Sequence, residues 1–331
     1  MFNRSRSGQA VASALVLAAG LSAGAAQAEE LSFAHFVPPQ HTLTRAIIEP
    51  FANGVEEATD GALTVRVYPG GELGAGPLEQ YVRVVQGVAD MAWGLQGYTS
   101  SQFPKTMVAE LPGVFEHGEM GYEGIWNAYD LIAGEYPRTK PLALWTSEPN
   151  VLIMKDHDIR SPADLAGLKV RVSGSAAASV IEALGATPVQ MPANEMYNAL
   201  QTGLIDGIVT GASAISDFKL DEVANSYTIG APLGRITFFV VMNQDRFDGL
   251  PADQQAAIEE HSGPWLSRHG EEGWNAYADE TIARLKAAEN ETVIELSEAQ
   301  AAAFGELTLP VTKRIIAEIG AEDVLAAMQQ E

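Results

Sequence analysis

Arg171 is the residue of this chain best placed to meet a ligand. It lies in Lys169-Val170-Arg171-Val172, where charged and apolar residues alternate with the period of two expected of a short strand. The small residues Ser173-Gly174-Ser175 follow at once, and Ala176 to Leu184 then reads as a helix closed by Gly185, with Pro188 barring continuation. A guanidinium at the end of a strand and beside a helix N-terminus faces the crevice of an α/β sheet. The competing reading is an internal salt bridge with Glu195 or Glu148.

Other chemistry is thin. Histidines at 35, 41, 117, 157, 261 and 269 form no HExxH motif, so a catalytic zinc site is not expected. Cysteine is absent, which excludes disulfides, thiol chemistry and Cys-based metal sites. No G-x-S-x-G elbow appears. The acidic pairs Glu259-Glu260 and Glu271-Glu272 fall in a long helical pattern, where a solvated face is expected. The glycine-rich run from Gly70 to Gly76 lacks the lysine of a phosphate loop and reads as a set of turns. No residue set points to catalysis.

The elements that would position Arg171 alternate. Leu31 to Phe36 reads as a strand, Leu43 to about Thr59 as a helix with Ile47, Ile48, Phe51 and Val55 on one face, and Leu63 to Tyr68 as a second strand. A helix at Leu78 to Gln86 and a strand at Met91 to Gly94 continue the alternation, which implies a largely parallel sheet covered on both faces. Val189 to Met191 is a short strand, and Asn194 caps a helix carrying Met196, Leu200 and Leu204. Trp145 to Val151 breaks the pattern and marks a second lobe, while Ile236 to Met242 is a continuous apolar strand that returns to the first.

The N-terminus reads as an export segment. Arg4 and Arg6 precede an apolar run from Val11 to Ala26 that ends at Ala26-Gln27-Ala28, with cleavage expected after Ala28. The mature protein is therefore expected in the periplasm, without insertion in the membrane. The chain has 331 residues, ample for two lobes with separate cores, and a formal charge of −23. So acidic a surface argues against nucleic acid and against anionic membranes as partners.

Several segments carry a resemblance through their order and spacing. They are Tyr68-Pro69-Gly70-Gly71-Glu72-Leu73-Gly74, Gly87-Val88-Ala89-Asp90-Met91-Ala92, the block from Asp164 to Asp206, and Val240-Val241-Met242-Asn243 with the later Leu250-Pro251. Over nearly the whole mature chain the sequence resembles the solute-binding proteins of tripartite ATP-independent periplasmic (TRAP) transporters, in their dicarboxylate-binding-type branch. The resemblance implies a two-lobed α/β fold of periplasmic-binding-protein type, with hinge strands and a long helix, here Pro251 to about Ala288, spanning both lobes. Residues 29–148 with 235–275 would form the first lobe, and 149–234 with 276–331 the second. It further implies that Arg171 holds a ligand carboxylate bidentately, a role suited to a planar and permanently charged fork. The partners implied are a small organic solute and the membrane permease subunits. Uptake driven by an ion gradient calls for no ATP site and no cofactor.

One departure from the organic-acid binders bears on the ligand. Some relatives carry a second arginine about twenty residues before the first, where this chain has Glu148-Pro149-Asn150, and Ile208-Val209-Thr210 replaces polar residues after Asp206-Gly207. Phe36, Trp93, Tyr98, Trp145 and Phe239 fall where crevice walls are expected, and Asn150 and Thr210 join Glu148 and Arg171 as candidate contacts. One acid among aromatic walls favours an amine or zwitterion, through cation–π contact and charge pairing. A mono- or dicarboxylate is the alternative, and an enzyme on the same scaffold a remote one.

Overall fold

The computed structural model describes residues 28–330 apart from 75 and 117; residues 1–27 of the export segment and His117 lie outside the described residues. The chain lays down β1 (Glu29–Ala34), β2 (Leu63–Tyr68), β3 (Met91–Leu95) and β4 (Thr139–Thr146) in a first lobe. It crosses over and forms β5 (Asn150–Met154), β6 (Lys169–Val172), β7 (Thr187–Gln190), β8 (Gly207–Gly211) and β9 (Ser226–Ile229). It then returns as β10 (Thr237–Asn243) and finally adds β11 (Thr292–Glu295) to the second lobe.

The two sheets have the orders β2-β1-β3-β10-β4 and β11-β9-β5-β8-β6-β7. They are mixed rather than largely parallel: β10 runs antiparallel to both β3 and β4, and β5 antiparallel to both β8 and β9. The hinge accounts for this. β4 carries the chain out of the first lobe and β10 carries it back in, so when they pair side by side they must run in opposite directions. The same holds for β5 and β9 in the second lobe.

The sequence Thr-Phe-Phe-Val-Val-Met-Asn of β10 is apolar on both faces because both faces are covered. Phe238, Val240 and Met242 point into one core, while Phe239 and Val241 point into another. That alternation decides which phenylalanine lines the cavity between the lobes.

The expected long helix is present in two pieces, Ala252–Glu260 of 9 residues and Pro264–Ala287 of 24, which together span 36 residues with the break between them. The break falls at Gly263, whose φ of +66° is left-handed, and Pro264 restarts the helix at its first position. The second piece packs on β4 in the first lobe and on β11 in the second, so it spans both. At Gly270 a Cβ would lie 2.8 Å from Ile47 and 3.0 Å from the Trp145 ring, so this helix approaches the first lobe closely only as glycine.

The last part of the chain departs from the expected boundary. Phe304 and Val311 of the helix Glu298–Ile319 join a core of the second lobe, but Ile316, Ala321, Val324 and Met328 join one of the first. Residues 276–331 therefore do not all belong to the second lobe. The apolar face of the terminal helix Glu322–Met328 is buried against the helix Gly121–Asn127.

Candidate functional site

Strand ends of both lobes meet over a cavity of about 40 Å³, lined by Arg171, Thr210 and Asp217 of the second lobe and by His41, Trp93 and Phe238 of the first. That volume holds little more than a water molecule or two. The lobes are thus closed on each other, and a larger guest enters only as they part.

Arg171 is 1 % exposed. Its Nε donates to the Met191 carbonyl at 3.0 Å, which fixes the plane of the guanidinium, while Nη2 has no protein partner. Burial lowers its pKa from the ordinary arginine value, against the pull of Tyr98 and Glu195, and an arginine remains protonated in proteins regardless. Neither Glu195 nor Glu148 forms an ion pair with it among the described residues. A buried charged donor without a partner costs more than the 1–3 kcal/mol of a neutral one, roughly, and an incoming anion relieves that cost.

Tyr98 stands beside it across the cleft, and its phenolic oxygen accepts from the Ala193 backbone amide at 2.8 Å. Burial pushes the Tyr98 phenol up, so it stays a neutral donor. Trp93 lines the cavity with its Nε1 also unpartnered. Phe36 does not reach the cavity; it stacks on the back of Trp93 at 5.0 Å and fixes that ring.

Four of the expected contacts lie elsewhere. Phe239 points to the opposite face of β10, against Tyr81 and Phe103, and Phe238 takes its place; a slip of one residue on a strand exchanges the two faces. Trp145 is fully buried in the layer beneath, edge-on to Trp274 at 5.5 Å. Glu148 and Asn150 line a second, mostly apolar groove of about 900 Å³ on the other side of the crossing strands. Glu148 Oε1 accepts from the Ser213 amide at 2.7 Å, and burial pushes its pKa up to about 7. That groove is the larger of the two, but its cations Arg235 and Lys286 are already paired with Glu271 and Glu295. The guanidinium with an unpartnered Nη2 lines the smaller cavity.

Sequence reasoning missed Asp217, His41, Met196 and Trp274, all of which line the cavity. Asp217 ends the short helix Ser213–Asp217 that follows β8, on the side of the sheet where open α/β sheets hold their ligands, and that neighbourhood was the available signal. Its Oδ1 accepts from the Thr42 amide at 3.0 Å and its Oδ2 lies 3.4 Å from His41 Nε2, both across the cleft. Burial pushes Asp217 up to about 6 and His41 down to about 3.

Glu271 is the second omission. It is fully buried, not solvated: its carboxylate accepts from Arg235 Nη1 (3.0 Å), Thr146 Oγ1 (2.8 Å) and the amides of Gly121 and Tyr122 (2.6 and 2.7 Å). Arg235 Nη2 also donates to the Glu119 carbonyl at 2.7 Å. The network binds the returning hinge segment to the long helix and to the end of β4.

Against this geometry the profile of the family described as "Bacterial extracellular solute-binding protein, family 7" matches residues 33–319. The chain belongs to this family. It is 28% identical over 308 residues to the C4-dicarboxylate-binding periplasmic protein DctP of Rhodobacter capsulatus, covering 89% of each. Its fold is similar to that of a TRAP solute binding protein of Rhodoferax ferrireducens T118 in complex with copurified benzoate. The TM-score is 0.82 at 26% identity, covering 90% of this chain and 96% of that one. A Bordetella bronchiseptica TRAP periplasmic solute binding protein with bound (R)- and (S)-mandelate also gives a TM-score of 0.82 at 26% identity, over 90% and 97%. This protein is thus a periplasmic solute receptor of a TRAP transporter and not an enzyme, and it acts with the membrane permease subunits of that system.

Proposed function

We propose that this receptor captures a monocarboxylate with an aromatic or otherwise apolar body and closes its lobes around it. The observation that carries the reading is Arg171 Nη2, a buried charged donor with no protein partner, in a cavity walled by Trp93, Phe218, Phe238 and Trp274. Arg171 is the one lysine or arginine lining that cavity, and His41 is neutral, so a second carboxylate would be left without a cation. Benzoate and mandelate in the two similar structures are acids of this kind. The amine or zwitterion favoured from the sequence rested in part on Glu148, which lines the larger groove and whose Oε1 is held by the Ser213 amide. The organic-acid alternative is therefore the better supported.

Closure supplies the affinity. As the lobes meet, water leaves the cavity, and the contact between guanidinium and carboxylate strengthens in the lower dielectric. Isothermal titration calorimetry of the mature protein with benzoate tests the reading. Arg171→Lys keeps a charge but loses the fork, and affinity is expected to drop by about 1.5–3 kcal/mol. Unchanged affinity in a folded variant, or no binding of any monocarboxylate by the wild type, refutes it.

A further inference from the structure

The cavity holds a second charged group that the capture of a carboxylate does not use. The Asp217 side chain is 2 % exposed and lines the same space as Arg171. The two are not an internal pair. Asp217 feels Arg45 and itself acts on Glu148, whereas Arg171 feels Tyr98 and Glu195. Their hydrogen-bond partners are also separate: Met191 for Arg171, and Thr42 for Asp217.

The tautomer of His41 limits what the protein itself offers to this acid. Leu43 N donates to His41 Nδ1 at 3.1 Å, so in the neutral ring the proton is on Nε2, which lies 3.4 Å from Asp217 Oδ2. In that geometry Oδ2 makes no hydrogen bond. An ionised carboxylate has about four lone-pair sites, and the Thr42 amide occupies one. The rings of Trp93, Phe218 and Trp274 pack around His41 with centroids 5.6, 5.5 and 5.8 Å away, and neither Trp93 Nε1 nor Thr42 Oγ1 has a hydrogen-bond partner among the described residues. Oδ2 thus has no hydrogen-bond partner among the described residues.

We propose that Asp217 is a specificity-determining residue that reads a hydrogen-bond donor on the body of the ligand, a hydroxyl or an ammonium, apart from the carboxylate held by Arg171. The inference rests on the carboxylate reading above and narrows it. A bare acid such as benzoate leaves Oδ2 buried and unpaired, whereas an acid with a suitably placed donor satisfies it. A site built to hydrogen-bond a substrate group discriminates strongly against an analogue that lacks it. Because Oδ1 also holds the Thr42 amide of the first lobe, the same carboxylate reports occupancy to the closing contact.

The test is calorimetry on the mature protein with benzoate, 3-hydroxybenzoate, 4-hydroxybenzoate and 3-(aminomethyl)benzoate, for the wild type and Asp217→Asn. Asparagine keeps an oxygen for the Thr42 amide and replaces the free acceptor by a donor. At least one donor-bearing acid is expected to bind the wild type about tenfold or more tighter than benzoate, the worth of one hydrogen bond to a charged group. In Asp217→Asn that advantage falls below about threefold while benzoate itself shifts by less than about threefold, within the ordinary scatter of non-coupled changes. Preference for a hydroxybenzoate identifies a neutral donor, and preference for the aminomethyl acid identifies a cation. Equal weakening of all four acids in the variant makes Asp217 a lobe contact only and overturns the inference. Equal affinity of the wild type for all four overturns it as well, and needs no folded variant. Failure of the carboxylate reading is seen separately, as benzoate binding that Arg171→Lys leaves intact. Failure of all four acids to bind sinks both.

Discussion

Two glycines touch across the cleft and allow closure to be tested without altering any group that meets the ligand. Gly174 follows β6 in the second lobe and Gly97 follows β3 in the first. A Cβ built on Gly174 would lie 2.7 Å from the Gly97 carbonyl oxygen, 2.8 Å from its Cα and 3.0 Å from its carbonyl carbon, all backbone atoms that cannot rotate away. The backbone of Gly174 is itself ordinary, with φ −159° and ψ −174°, so alanine folds there without strain and the clash exists only in the closed form. Carbon contacts prefer about 3.5–4.0 Å, so in Gly174→Ala the lobes must part by about 1 Å at this point. The contacts that this separation strains are Tyr98 Oη to the Ala193 amide (2.8 Å) and Asp217 to the Thr42 amide (3.0 Å). One neutral and one charge-assisted hydrogen bond together are worth about 2–4 kcal/mol. Affinity for benzoate in calorimetry should therefore fall about 30- to 1000-fold, with the melting temperature of the ligand-free protein unchanged. Gly97→Ala is the control. Its Cβ meets Glu110 Oε1 at 3.5 Å, Gly174 Cα at 3.6 Å and Ser173 Oγ at 3.7 Å, all ordinary contact distances, and affinity should stay within about threefold. Equal affinities for wild type and Gly174→Ala would refute the closure argument, because the alanine would then fit a cleft that has no room for it.

Two further outcomes concern the hinge. Glu110 is buried, its Oε1 accepts from the amide and hydroxyl of Thr237 (3.0 and 2.8 Å), its Oε2 is unpaired, and burial pushes its pKa from 4.5 to about 7. A carboxyl whose folded-state pKa is raised contributes stability below about pH 4.5 that is lost as pH rises through 7, so Glu110→Gln should gain on wild type between pH 5 and pH 8, by on the order of 3 kcal/mol. Parallel stability–pH curves from denaturant titrations would contradict this; His35 and His41, lowered to about 4 and about 3, act in the opposite sense but are common to both proteins. Glu271→Ala strands the Arg235 guanidinium and the Gly121 and Tyr122 amides in the interior, and should cost about 3–5 kcal/mol in urea unfolding. A loss under about 1 kcal/mol would mean that water takes over the network.

Much of the architecture was legible because it is local. The alternation in Lys169–Val172 followed by Ser-Gly-Ser placed Arg171 at a strand end, and the apolar run in β10 announced a strand covered on both faces. Arg171 lies within that same stretch, so its place in a crevice followed from neighbouring residues alone. The rest depended on residues far apart in the chain. Whether Phe238 or Phe239 lines the cavity turns on a register set by Leu95 and Gly94 of β3, and composition is blind to a shift of one residue. Glu148 and Asp217 are both acids near the crossing segments, and only the fold makes one line the larger groove and the other the small cavity. Glu271 looked solvated because the helix carries charge on several sides, and its partner Arg235 lies 36 residues earlier in the sequence, on the returning segment. Sequence determined many of the strands and helices and the place of Arg171 on a strand beside a turn, since hydrophobic period and turn chemistry are properties of short segments. Tertiary structure decided which acid shares the cavity and which charges are buried, because desolvation and pairing depend on what the rest of the chain brings within a few ångströms.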